Sequence, residues 1–274
     1  MTEPIWKFKD WIPNHMIKKY NPNERYILSR NQNAIWFLYK NPTLINWSAL
    51  SCNTNAIELL SKNPDKINWY YLSSNSSAID LLSKNQDKIN WQNLSKNPSA
   101  INLLSKNQDK IDWRNLSLNP SAIDLLTQNQ DKIDWVSLSF NPSAIHLLSH
   151  NIDKIYWTGL SQNPAANKLF LENLDKVDWE ILSGNPYASY ILSQNLDKVN
   201  WYYLSKNPSA INILSQNIDK IDKLNIFKNL NIFEIDYIAI KTRTNIYSEE
   251  LMMRVLHPSR IQKMMESGCD ADDF

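Results

Sequence analysis

Tryptophan recurs at Trp47, Trp69, Trp91, Trp113, Trp135, Trp157, Trp179 and Trp201, eight positions at a constant spacing of 22. No other feature constrains the fold as much, because a unit this short cannot bury an apolar face alone and must stack on its neighbours. The rest of the unit keeps step. Leu-Ser follows at 94/95, 116/117 and 138/139, then Asn-Pro-Ser-Ala-Ile at 97–101, 119–123 and 141–145, then paired leucines and Asn-x-Asp-Lys. A half unit precedes the first Trp, since Leu28, Ser29, Asn31, Ala34, Ile35, Leu38 and Asn41 fall one period before Leu50, Ser51, Asn53, Ala56, Ile57, Leu60 and Asn63. The period stops after Asp222, where Lys223 takes the next Trp position.

Within one unit, Asn97 before Pro98 reads as a helix N-cap followed by Pro at the first helical position. Ala100, Ile101, Leu103 and Leu104 then form one apolar face of a two-turn helix, with Asn102, Ser105 and Lys106 opposite. Asn107, repeated at 63, 85, 129, 151, 173, 195 and 217, is expected to end the helix in the left-handed conformation. Asp112 caps a second helix, Ile111 is placed to pack on Leu116, and the helix is short enough to be partly of the tighter 3₁₀ type. Seven of eight units keep Asn or Asp at this cap and Tyr156 is the exception. The repeated Leu-Ser serines are suited to bonding a carbonyl one turn back. The Asp-Lys pairs, such as Asp65-Lys66 and Asp109-Lys110, are expected to line up as charge ladders on one edge.

The expected fold is therefore all-α, an α-solenoid of short helix pairs with about eight 22-residue repeats and terminal caps. A leucine-rich repeat has a similar period, but Trp-x-x-Leu-Ser-x-Asn-Pro puts Pro where its strand would continue. A parallel β-solenoid needs glycine at its corners, and the chain holds three glycines, Gly159, Gly184 and Gly268. The organisation reads as an N-terminal cap (1–27), the repeat solenoid (28–222) and a C-terminal helical cap with an acidic tail (223–274). Two final helices are expected in that last part, the first from Ser248 to before Pro258 and the second from Ser259 to Gly268.

Composition excludes several function classes. Glycines this sparse cannot build a phosphate-cradling loop. Cys52 and Cys269 are too far apart in sequence to suggest a metal knuckle or a disulfide framework. His146 and His150 share a helix face at i, i+4, but no third ligand stands at metal spacing, and His15 and His257 lack a candidate partner. No catalytic residue, cofactor or metal is expected. Groups that repeat identically in every unit do not form the unsymmetrical constellation that an active site requires. The first ten residues lack the apolar stretch of a signal peptide. The longest uncharged run, 135–152, is broken by Asn141, Pro142, two histidines and several serines, so no membrane span is expected.

What varies between units is free to recognise something. The pair after Trp includes Tyr70-Tyr71, Arg114-Asn115 and Tyr202-Tyr203, and the position before the cap Asn includes Leu118 and Phe140. Aromatics and Arg carry much of the energy of protein contacts. Tyr70, Tyr71, Arg114, Phe140, Tyr202 and Tyr203 are the candidate partner-binding residues; core filling is the competing explanation for them. Helix layers about 8 to 10 Å apart would set the outermost some 50 to 60 Å from each other, so only an extended partner would touch all. The expected function is a non-catalytic scaffold or adaptor that binds another protein. A nucleic-acid-reading solenoid is the alternative, disfavoured because residues 47–222 carry 15 basic against 17 acidic groups, whereas phosphate contacts need a basic track. Residues 1–46 carry seven basic and three acidic groups, a local excess that suits a solvated cap.

The unit wording, Asp-Lys-Ile-Asn-Trp-Tyr-Tyr-Leu-Ser-x-Asn at 65–75 with Asn-Pro-Ser-Ala-Ile-x-Leu-Leu, resembles that of a large group of repeat proteins in giant DNA viruses. So does the end of the chain, Leu256-His257-Pro258-x-Arg260-Ile261 to Asp272-Asp273-Phe274. The resemblance implies expression inside an infected host cell, in the cytoplasm or viral factory, with a host or viral protein as partner. It implies no catalytic residue. Departures from the unit cluster between 156 and 189: Tyr156, Gly159, Asn167, Leu171, Gly184 and Ser189. A bend, a partner site and ordinary drift are all compatible with them.

Overall fold

The computed structural model describes residues 21–233 together with 236–238, 240, 241, 257 and 262. Most of the expected N-terminal cap and of both expected final helices, and the whole acidic tail, lie outside the described residues. Among the described residues every regular element is helical, and no strand occurs. The chain is an all-α solenoid of short helices at the 22-residue period.

One unit shows why. Asn97, in an extended conformation, accepts the Ser99 N–H with its side chain and starts a 3₁₀ turn, Pro98–Ala100. That turn runs directly into the α-helix Ile101–Ser105, the isoleucine helix. A second 3₁₀ turn, Gln108–Lys110, leads to Asp112, whose carboxylate accepts the Asn115 N–H and caps the tryptophan helix, Trp113–Ser117. The tighter geometry therefore lies in the two turns, while the tryptophan helix is α-helical. Neither helix exceeds a few residues in this unit, and helices so short are marginal in water without neighbours.

Stacking supplies those neighbours. Each tryptophan helix lies against the next, as Trp91–Ser95, Trp113–Ser117 and Trp135–Ser139 do, and the Pro-Ser-Ala turns form a second row. Between the rows runs one continuous core in which Leu94, Ala100, Leu104, Leu116, Ala122 and Leu126 are fully buried. Ile111 is also buried, as the proposed staple with Leu116 requires. The alanine recurs because only a small side chain lets successive turns approach.

Two columns of buried polar groups hold the units in register. The Asn119 amide donates to the Ser95 carbonyl at 3.1 Å and the Asn97 carbonyl at 3.2 Å, 24 and 22 residues back, while its oxygen accepts the Ser121 N–H. The same three bonds recur at Asn53, Asn75, Asn97, Asn141, Asn163, Asn185, Asn207 and Asn229. The column thus runs past Asp222, where the sequence period ends. In the second column Ser117 Oγ donates to the Trp113 carbonyl, as anticipated, and also accepts the Asp134 N–H of the following unit. No buried side-chain polar atom among the described residues lacks a partner.

Two further expectations are corrected. Asn107 does not adopt the left-handed conformation, nor do Asn41, Asn63, Asn85, Asn129, Asn151, Asn173 and Asn217: their φ lies between −129 and −145°. Each instead ends its helix with the side chain, the Asn107 amide donating to the Leu103 carbonyl one turn back. Nor do the Asp-Lys pairs form charge ladders. The ion pairs among the described residues are Glu58–Lys62 and Lys168–Glu172. Each repeat lysine lies over the tryptophan ring of the unit before, from Lys66 on Trp47 at 5.4 Å to Lys220 on Trp201 at 5.1 Å, with Lys132 on Trp113 at 4.9 Å. A half-buried indole face offers an ammonium a better-desolvated partner than an exposed carboxylate.

Candidate functional site

The outer side of the tryptophan-helix row carries the variable positions. The residue directly after Trp points outward in most units, at Tyr70, Gln92, Arg114, Val136, Glu180 and Tyr202. The next residue is the more enclosed one, with Ala49, Asn115, Ser137 and Gly159 buried. The period explains this: one residue further turns a helical position by about 100° toward the adjoining unit. Of the candidate residues, Tyr70, Tyr71, Arg114, Phe140 and Tyr202 are exposed, and Tyr203 is half-buried.

These side chains form three groups along the row. Tyr70 and Tyr71 meet edge to face at 5.3 Å near one end, and Tyr202 and Tyr203 meet the same way at 5.2 Å near the other. Lys206 lies over the Tyr203 ring at 4.5 Å, and hydrogen bonding to the Glu180 carboxylate raises the Tyr203 phenol above its ordinary range. In the middle, Leu118, Val136, Phe140 and Tyr156 are 37–51% exposed and belong to adjoining units, which makes a run of apolar surface.

Two of the departures from the unit belong to this middle group. Tyr156 has no capping oxygen, and the tryptophan helix Trp157–Leu160 lacks the side-chain cap that its equivalents carry. Its ring stands 6.2 Å from that of Phe140. Gly159 makes the room, because a Cβ there would meet Phe140 Cε2 and Tyr156 Cδ1 at 2.8 Å each. Phe140, Tyr156 and Gly159 are thus one substitution in three parts. Gly159→Ala and Phe140→Ser should couple: in a double-mutant cycle read by urea midpoints, the alanine should be better tolerated without the phenyl ring by about 0.5 to 2 kcal/mol. Additive effects would show that the rings move aside without cost.

Among the described residues no group of three His, Cys, Asp or Glu could hold a metal. The His146 and His150 rings lie 4.5 Å apart, and His150 Nδ1 donates to the His146 carbonyl. Burial pushes the Cys52 thiol up, away from the reactive thiolate. No described helix is long and apolar enough to cross a membrane. No family model, curated protein or solved structure matches the chain.

Sequence reasoning missed Ile181, Tyr187 and Lys206, which gather with Tyr203 around Gly184. The available signal was Gly184 itself, a glycine at a position that carries a side chain in every other unit.

Proposed function

We propose that the chain is a non-catalytic scaffold or adaptor that binds another protein along the outer face of its tryptophan-helix row. The carrying observation is the exposed apolar run Leu118, Val136, Phe140 and Tyr156, built on positions that the stack leaves free. Burial of such a run is the usual driving term of protein association, with aromatic anchors concentrating the energy. By the wording of its repeat, the protein is a giant-virus product that works in the cytoplasm or viral factory of an infected cell, with a host or viral partner.

Capture from cell extract on the immobilised protein, with and without nuclease, tests this. Phe140→Ser should weaken capture of the partner by about 1 to 3 kcal/mol without changing the helical circular dichroism, and nuclease should have no effect. Asn102→Ser, on the opposite face, should leave capture intact. A bound nucleic acid whose affinity falls steeply with salt would replace this reading with the nucleic-acid one.

A further inference from the structure

The outer row has one gap. The position before the buried Asn column holds Cys52, Ser74, Lys96, Leu118, Phe140, Gln162, Lys206 and Lys228, but Gly184 before Asn185. There the surface opens into a notch of about 380 Å³ lined by Gly184, Ile181, Tyr187, Tyr203, Gln162 and Lys206. The backbone does not require the glycine, whose φ is −86°. A Cβ would meet the Ile181 carbonyl at 3.5 Å and Tyr203 at 3.9 Å, both ordinary contacts. What the glycine supplies is space.

Departures from the repeat converge on the same place. Asn167 stands in an isoleucine position, and its amide donates to the Tyr187 carbonyl at 3.0 Å, which ties down the turn that carries Tyr187. Tyr187 in turn replaces the usual serine and lines the notch. Unselected drift would scatter such changes over the solenoid.

The row itself indicates the occupant. Leu118 and Phe140 carry apolar side chains at the position that Gly184 leaves empty, and the Phe140 ring lies on the next unit at Gly159. A phenyl ring supplied from outside would rest on Tyr203 as Phe140 rests on Gly159. Charge gives the second criterion. Lys206 lies against the Tyr202 and Tyr203 rings and has no carboxylate within ion-pair distance among the described residues. The Glu180 carboxylate lies near the Tyr203 hydroxyl, whose pKa it raises, and forms no ion pair with Lys206.

We propose that the Gly184 notch is the anchor pocket of the partner-binding face, and that it takes a phenylalanine side chain from an acidic peptide segment whose carboxylate pairs with Lys206. This inference rests on the protein-binding reading of that face. The probe is a fluorescein-labelled synthetic peptide of glutamate, serine and glycine with one central phenylalanine, titrated with the full chain by fluorescence anisotropy. Saturable binding is expected, weakened at least about tenfold by Gly184→Leu, by Lys206→Glu and by alanine in place of the peptide's phenylalanine. Helical circular dichroism should be unchanged in both variants. Absence of saturable binding up to about 1 mM peptide overturns the pocket, as does tighter binding of an oligouridine probe. Binding that ignores Gly184→Leu but falls with Phe140→Ser also overturns the pocket while keeping the protein-binding face. Peptide binding with no nuclease-resistant protein capture from extract would do the opposite.

Discussion

Asn119→Asp should destabilise the protein by about 3 to 5 kcal/mol, although it changes one atom type and leaves no cavity. The wild-type amide donates to the Ser95 and Asn97 carbonyls, and the Ser95 carbonyl has no other hydrogen-bond donor among the described contacts. A carboxylate there would turn a negative oxygen toward both acceptors in a site that is 2% exposed. The introduced carboxyl should therefore ionise well above its unfolded value. With a raised folded pKa, the variant regains stability as pH falls through that pKa, and loses it again as pH rises. A partial rescue between about pH 7 and 4, absent in the wild type, distinguishes this mechanism from general damage. Because a solenoid is coupled only through nearest neighbours, a lesion at its centre should also split the urea transition into two steps. Asn200→Asp is the control. Only its oxygen is used, and Asp already occupies the equivalent positions 112, 134, 178 and 222, so the midpoint should move by no more than about 0.5 kcal/mol. Equal effects of the two substitutions would refute the donor role of the column.

That contrast also shows how far the fold could be read from the sequence. Helix starts were legible because Asn-Pro and the Asn/Asp cap are local signals, and the apolar spacing Ala100, Ile101, Leu103 and Leu104 set which side is buried. The Asn column was not recognised, since the same Asn also serves as an N-cap, and a cap explains its oxygen without explaining its amide. Yet the donor role leaves a trace. Asn and Asp alternate freely at the cap before Trp, whereas positions 53, 75, 97, 119, 141, 163, 185, 207 and 229 are always Asn, even at Asn53 and Asn75, which precede no proline.

The lysine and the candidate face were less legible. Asp next to Lys reads as an ion pair in sequence, and only the stacked geometry puts the lysine of one unit over the indole of the previous one. The outward direction of Tyr70, Arg114 and Tyr202 follows from helical period, but the half-burial of Tyr203 depends on Lys206 and on the adjoining unit. Gly159 and Gly184 looked alike as departures. They are opposites: one makes room for a ring of the chain itself, and the other leaves a notch open.

The tryptophan row yields the second large effect. Trp113 is half-buried and packs on the common core, with Lys132 of the next unit above its exposed face. A fully buried Trp→Ala change costs about 3 to 5 kcal/mol through lost burial and residual cavity; with part of the ring already in contact with water, Trp113→Ala should cost about 2 to 4 kcal/mol. Its urea midpoint decides whether the row is structural, since an unchanged value would make the indoles a surface available for binding. The lysine adds a smaller, separable contribution. Lys132→Met keeps the length of the side chain and removes the charge, and should cost about 0.5 to 1 kcal/mol when Trp113 is present and nearly nothing in the Trp113→Ala background. Asp131→Asn should stay within about 0.5 kcal/mol of the wild type, because the exposed carboxylate next to Lys132 makes no ion pair with it. If Asp131→Asn proves as costly as Lys132→Met, the charges act on each other after all, and the indole is a bystander.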